Sequence, residues 1–352
     1  MNLEYFIEQI RGAAARGAAL RLRGGGTKDF YGNEPRGELL DTRAHAGIVS
    51  YEPTELVLTA RCGTPLREVE KILEENRQCL PFEPPHFGDG ATLGGCVAAG
   101  LSGPRRASAG AVRDFILGAK IVDGRGRVLS FGGQVMKNVA GYDVSRLLAG
   151  SLGTLGFISE ISLKVLPRHP AELTLRLAMP QERAIDALNR WAGQPLPVSA
   201  SAWHEGELMI RLSGSAAALA PAAAAIGGEA LESREVATFW PSIREQMHPF
   251  FAGPEPLWRI AVPSITPPMA LPGRQLMEWN GGLRWLKSDC EPSAAREAAK
   301  KAKGHATLFR AARKPVAAFA PLEPIVLRLH RELKAAFDPA GIFNPGRLYP
   351  EL

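Results

Sequence analysis

The residues most able to do chemistry near the N-terminus are Arg23, Gly24, Gly25, Gly26, Thr27 and Lys28, which follow the strand-like run Ala19–Arg23. With no Cβ in the way, successive backbone N–H groups of such a loop can turn inward and hold an anion of pyrophosphate type. Alone, the same residues also read as a tight surface turn. A second stretch holds Ala91, Thr92, Leu93, Gly94, Gly95 and Ala98, followed by Gly103 and Gly110. Its small side chains suit close approach to a flat ligand. A flexible linker is the alternative, but apolar residues stand among the glycines from Thr92 to Leu101. A third stretch, Gly150 to Gly156, runs straight into the strand-like Phe157–Glu160. The dinucleotide fold needs GxGxxG spacing and a helix at that point, so nicotinamide binding is not expected.

The surrounding elements must place these loops. Leu3, Phe6, Ile7, Ile10 and Ala14 recur at helical spacing before Gly17, and Leu66, Val69, Ile72 and Leu73 share one face of a helix over Pro65–Arg77. Val49–Ala60 is β-rich around Pro53, Phe115–Asp123 and Arg127–Phe131 flank a Gly124-Arg125-Gly126 turn as a hairpin, and Phe157–Leu166 is a further strand. After Pro170 the pattern resets to strand, helix, strand, strand at 173–178, 181–192, 198–203 and 208–212. Ala216–Ile226 reads as a helix despite Pro221, Pro249–Pro272 as loop, and strand, helix and strand follow at 279–286, 294–303 and 305–309. Glu323–Phe337 is the last helix, ahead of a proline-punctuated tail. The expected organisation is an α+β chain with units at 1–168, 169–320 and 321–352.

Composition narrows the function classes. Hydrophobic residues are 45% and charged residues 22%, as in a folded globular chain. No apolar run approaches the ~20 residues that span a bilayer, and Glu4 and Glu8 interrupt any signal-like N-terminus. A cytoplasmic location is expected, with membrane contact only indirect. Cys62, Cys79, Cys96 and Cys290 are scattered without CxxC spacing, so any iron–sulfur cluster is expected in another chain. The net charge of +6 is dispersed and reads as solvated surface, not as a nucleic-acid site.

Taken in order and separation, the three glycine-bearing stretches resemble the FAD-binding domain of the p-cresol methylhydroxylase and vanillyl-alcohol oxidase type, over about residues 1–168. The resemblance implies a two-subdomain FAD-binding domain followed by an α+β cap-like domain. It assigns the pyrophosphate to Arg23–Lys28, the flavin and pyrophosphate to Ala91–Gly110, and the adenine end to Gly156–Ile158. Thr27 stands where some members tether FAD through histidine, so FAD is expected to be noncovalent. Met136–Asp143 and Phe337–Arg347 resemble segments of the D-lactate dehydrogenase and glycolate oxidase branch, and the latter implies a helix and tail returning to the FAD domain. Trp279–Trp285 and Gly304–Arg310 resemble the smaller flavin-binding subunits of bacterial glycolate oxidases.

That resemblance implies oxidation of glycolate within a complex containing a larger FAD-binding catalytic subunit and an iron–sulfur subunit. The complex would bring the chain to the inner face of the cell membrane. An autonomous 2-hydroxy acid dehydrogenase and a non-catalytic structural subunit stay open. Catalytic relatives carry a histidine-rich metal and base site, whereas His204, His248, His305 and His330 here lack ligand spacing, and no metal is expected. Arg284, His305 and Arg310 are the candidates to stabilise negative charge near the flavin.

Overall fold

The computed structural model describes residues 2–133 and 143–352. Helix α1 (Leu3–Arg16) buries Phe6, Ile7 and Ile10, ends at Gly17 in the left-handed region (φ 64°), and leads into β1 (Leu20–Arg23). Strand β1 pairs in parallel with β2 (Glu38–Asp41), leaving the glycine loop at its C-terminal end.

The chain continues through β3 (Ile48–Glu52), β4 (Val57–Arg61), α2 (Leu66–Glu75), β5 (Gln78–Cys79), α3 (Leu93–Ala99) and α4 (Arg106–Ala109). Strands β6 (Ile116–Val122), β7 (Val128–Gly132), β8 (Phe157–Lys164) and β9 (Leu166–Pro167) follow. A five-stranded antiparallel sheet, ordered β3-β4-β8-β6-β7, is the scaffold of this half. Its core unites Phe6, Leu58, Leu73, Phe82, Phe157 and Ile161.

The second half contains β10 (Ala171–Ala178), α5 (Gln181–Ala192), β11 (Val198–His204), β12 (Glu207–Gly214), α6 (Ala216–Ile226), β13 (Glu229–Ala230) and α7 (Ser233–Arg244). It is completed by β14 (Leu257–Ala261), β15 (Arg274–Glu278), β16 (Leu283–Lys287), α8 (Pro292–Lys301) and β17 (His305–Arg310). One eight-stranded sheet, β13-β10-β12-β11-β15-β16-β14-β17, spans it. Helices α5, α6 and α8 pack on one face. The other face, with Leu257, Leu276, Trp285 and Phe309, packs against Tyr31, Leu101 and Leu152 of the first half.

Several elements depart from the sequence reading. Strand β14 lies inside the stretch read as loop, because Pro254, Pro256 and Pro263 crowd a five-residue run whose partners are distant in sequence. Strand β15 and helix α7 were not anticipated either. The run read as a strand from Trp279 opens with a turn at Trp279–Gly281, and β16 starts at Leu283. Helix α6 does form through Pro221, with Ser215 capping its N-terminus.

The last helix, α9 (Pro324–Phe337), leads to a tail that comes back to β1. Leu20 N–H donates to Ile342 O at 2.7 Å, and Asn344 N–H donates to Leu20 O at 2.9 Å, so the tail runs parallel beside β1.

Candidate functional site

Two adjoining cavities form a trough at the end of β1. One is lined by Arg21 and Arg23 through Asp29, with Thr92, Gly95, Ala98, Leu152, Asn344 and Arg347. The other, lined by Thr42, Cys62, Gly94, Gly153, Gly156 and Ile158, shares Leu22, Arg23, Gly24, Gly95, Ala98, Leu152 and Asn344 with the first. All three glycine-bearing stretches therefore meet in one place.

The glycines are needed by close packing. A Cβ on Gly25 would lie 1.5 Å from Gly90 O, and one on Gly24 would lie 2.3 Å from Thr92 Oγ1. Among the described residues the backbone N–H groups of Gly25, Gly26 and Thr27 find no hydrogen-bond acceptor. Buried or half-buried N–H groups without acceptors cost about 1–3 kcal/mol each, so an anion seated on this nest removes a penalty already present in the fold. The Arg21 Nε atom is likewise buried without a partner.

Charge around the loop is held in fixed positions. Asp29 accepts from Arg21 Nη2 at 2.6 Å and from Arg23 Nε at 2.8 Å. Lys28 Nζ donates to His86 O at 3.1 Å and sits 5.7 Å from the centre of the Phe87 ring. Burial lowers the Lys28 pKa, against the opposing pull of Cys96 and Glu245. Arg347 donates to Asp29 O at 2.9 Å and to the Asn33 carbonyl, and burial lowers its pKa to about 10. Asn344 and Arg347 thus bind the tail to the loop. They were quoted only within the closing motif, and their contacts across more than 300 residues leave no local trace in sequence.

The anticipated residues divide. Arg23–Lys28, Thr92, Gly94, Gly95, Ala98, Gly156 and Ile158 line the trough. Ala91 and Leu93 instead turn into the core, at 3% and 0% exposure, because the extended backbone at the N-cap Thr92 sends its two neighbours to the side opposite its own. Gly94 is constrained chiefly by Cys62, whose Cβ would lie 2.6 Å from a side chain there. Gly110 sits at the end of α4, facing Asp114 and Phe115, where φ is 112°. Gly103 lines a third, smaller cavity between the halves, with Pro85, Phe87, Leu101 and the sheet residues Arg259, Glu278, Trp279, Trp285 and Phe309. The Met136–Asp143 segment lies outside the described residues except for Asp143.

Strand alternation sorts the three catalytic candidates. Trp285 faces the first half, so Arg284 points to the opposite face, where it donates to Gly281 O and Thr266 O, each at 2.7 Å. Burial lowers its pKa to about 10. His305 stands at the start of β17 on the same face as Arg259 but does not line the third cavity, and burial, with Arg259 adding to it, lowers its pKa. Arg310 is brought toward the first half by a bulge between Leu257 and Trp258, and its guanidinium lies 4.3 Å from the centre of the Phe30 ring. His204 and His248, read as isolated, lie 5.5 Å apart edge to face, and burial lowers both pKa values. Among the described residues no group of three or more His, Cys, Asp or Glu is placed to hold a metal.

A larger cavity of about 650 Å³ lies apart from the trough, beside Glu83, Arg105, Glu172, Arg211 and Trp240. Every arginine lining it is already paired with a carboxylate, so it offers no uncommitted positive charge.

Comparison with known proteins places the chain in a family. The FAD binding domain family matches residues 2–132, and the family "FAD linked oxidases, C-terminal domain" matches residues 322–348. The glycolate oxidase subunit GlcE of Escherichia coli K12 is 49% identical over 346 residues, covering 98% of this chain and 97% of that protein. The chain belongs to the GlcE family of FAD-linked oxidases.

More distant relatives match chiefly in part. The D-lactate dehydrogenase of Archaeoglobus fulgidus is 32% identical over 191 residues, 53% of this chain and 42% of that enzyme. The glycolate oxidase subunit GlcD of Bacillus subtilis is 31% identical over 155 residues, 44% of this chain and 33% of that subunit. A solved alkyldihydroxyacetonephosphate synthase shares the fold, with a TM-score of 0.67 at 15% identity over 97% of this chain and 75% of that one.

The cofactor that this family implies fits the residues present. An unpartnered amide nest, a cradle that any Cβ would fill, and an apolar end at Gly156–Ile158 suit the pyrophosphate and adenosine of FAD. No helix among the described residues is long and apolar enough to cross a membrane.

Proposed function

We propose that this chain is the FAD-binding subunit of a multi-subunit glycolate oxidase, acting beside a larger flavin-binding catalytic subunit and an iron–sulfur subunit. The observation that carries the reading is the trough: a nest with unpartnered amides, sealed by a tail whose Asn344 and Arg347 hold the loop in place. The end-to-end likeness to GlcE supports the choice of glycolate among 2-hydroxy acids.

In this reading Gly25, Gly26 and Thr27 bind the pyrophosphate through N–H groups, and Gly156 and Ile158 line the adenine end. Lys28 and Phe87 stand where the trough approaches the cap-side cavity. When bound, FAD supplies the two-electron acceptor for oxidation of glycolate to glyoxylate. Thr27 offers no imidazole for a tether, so FAD is held without a covalent bond. With all four cysteines free and dispersed, electrons leave through clusters in another chain.

The test is to co-express the chain with its partner subunits and assay glycolate-dependent reduction of an artificial acceptor. The reading expects activity in the complex and its loss when this chain is omitted. Full activity without this chain would overturn it.

A further inference from the structure

Lys28 differs from the other cations that line the trough. Arg21 and Arg23 share the Asp29 carboxylate, and Arg347 spends its guanidinium on the carbonyl oxygens of Asn33, Lys28 and Asp29. The Lys28 ammonium has no carboxylate partner among the described residues. It donates to His86 O at 3.1 Å and reaches Thr27 Oγ1 at 3.5 Å. An ammonium has three N–H donors, so one is left for a ligand in the trough.

The ammonium is positioned from the second half of the chain. Its carbonyl partner belongs to His86, whose N–H donates to Glu245 Oε2 at 3.0 Å, and the Phe87 N–H donates to the same oxygen at 2.8 Å. Glu245 is the C-terminal cap residue of α7, and Arg244 Nε holds its other oxygen at 2.8 Å. Amide donors on a carboxylate make charge-assisted bonds. Phe87 sits at φ 55°, in the left-handed region, where a bulky side chain stays only if its surroundings over-determine it. Its ring packs edge to face on Phe30, with centres 5.5 Å apart, and lies 5.7 Å from Lys28 Nζ. Glu245 therefore reaches the trough through His86, Phe87 and Lys28. Its charge also opposes the lowering of the Lys28 pKa by burial.

The trough has a direction. Gly156 and Ile158 line one of its cavities, Thr27, Lys28 and Ala99 line only the other, and Gly24 lies in both. With adenine at the first end and pyrophosphate on the nest of Gly25, Gly26 and Thr27, the flavin half of FAD leaves the nest on the Lys28 side. Reduced flavin carries a negative charge near neutral pH that oxidised flavin does not, so a cation fixed on that side favours the reduced form. Arg284, His305 and Arg310, the residues expected to meet that charge, line neither cavity.

We propose that Lys28 sets the redox balance of bound FAD by favouring its reduced form, and that Glu245 is the positioning residue that holds Lys28 in place for it. This rests on the FAD-binding function proposed above and adds a role that the amide nest does not supply. The nest carries the affinity for the cofactor in either state, and Lys28 separates the two states.

The experiment uses the full chain loaded with FAD and reads the flavin midpoint potential against a reference dye, together with the affinity for oxidised FAD. Lys28→Met should lower the potential by about 30 mV or more, which corresponds to a tenfold weaker hold on reduced relative to oxidised FAD. Affinity for oxidised FAD should change by less than about threefold. Lys28→Arg, which keeps the charge, should stay near the wild-type potential. Glu245→Gln should move the potential in the same direction by a smaller step, and should add nothing in the Lys28→Met background. Lys300→Ala, exposed on α8, should change neither quantity. Circular dichroism establishes that each variant is folded; if Lys28→Met is not, Lys28→Gln removes the charge while keeping a donor. An unchanged potential in Lys28→Met, or equal weakening of oxidised and reduced FAD, would make Lys28 a phosphate ligand or a bystander and overturn the proposal alone. A Glu245→Gln shift that persists in full without Lys28 would overturn the positioning role. A wild type that holds no FAD would overturn the functional reading beneath both.

Discussion

Asn344 Oδ1 accepts the backbone N–H of Leu22 at 2.8 Å, which ties the last residues of the chain to the strand that launches the glycine loop. The same side chain donates through Nδ2 to Leu152 O at 2.6 Å, and its own N–H pairs with Leu20 O. One buried amide therefore joins three separate segments that line the trough. Below it, Lys334 Nζ meets Asp338 Oδ2 at 2.7 Å and donates to Thr154 O and Phe343 O, while Asp338 accepts from the backbone of Ile342 and Phe343. The tail is part of the cofactor site and not an appendage to it.

Replacing Asn344 by Ala should leave the Leu22 N–H and the Leu152 carbonyl without partners. The expected cost is about 2–4 kcal/mol of stability, together with weaker FAD retention. Chemical denaturation and FAD titration of the same variant measure both; unchanged stability would show that water replaces the side chain.

Gly25→Ala should act more locally. Its Cβ would fall 1.5 Å from Gly90 O, a contact of backbone with backbone that no rotamer relieves. Loop displacement should lower FAD affinity about a hundredfold or more, since the amide nest is what faces the pyrophosphate. The sheet cores lie elsewhere, so circular dichroism should stay native. Normal FAD binding by this variant would remove the nest from the account.

Glu278 gives a pH prediction. Its folded pKa, about 7, lies above the ordinary carboxyl value of 4.5, with burial the leading cause and the Trp285 hydrogen bond opposing it. The folded state thus binds the proton more tightly than the unfolded state, so stability falls as pH rises from about 4.5 to about 7 and levels off above. Glu278→Gln, which retains an acceptor for Trp285, should remove that slope and stabilise the chain above pH 7 by up to about 3 kcal/mol. Thermal unfolding of both chains at pH 5 and pH 8 checks the sign: a stabilisation larger at pH 5 would contradict it.

What could be read from sequence was whatever is encoded locally. The loop Arg23–Lys28 follows its strand within a few residues, and the helices α1, α2 and α5 carry apolar faces at helical spacing. The cap-side cavity was not legible in the same way. Its arginine sits on β14, a strand hidden among prolines, and Arg284 stands among the three candidates although a one-residue step along β16 turns it to the opposite face. Arg310 reaches the first half through a bulge, which has no residue pattern of its own. His204 and His248 come together only when β11 and the segment after α7 pack.

The central claim is that this chain itself holds FAD, noncovalently, in the trough. The most direct measurement is the absorbance spectrum of the purified chain, followed by denaturation and ultrafiltration. The account predicts flavin bands in the native protein and complete release of FAD into the filtrate. A chain that remains colourless after FAD is added back, or a flavin that stays with the denatured polypeptide, would contradict it.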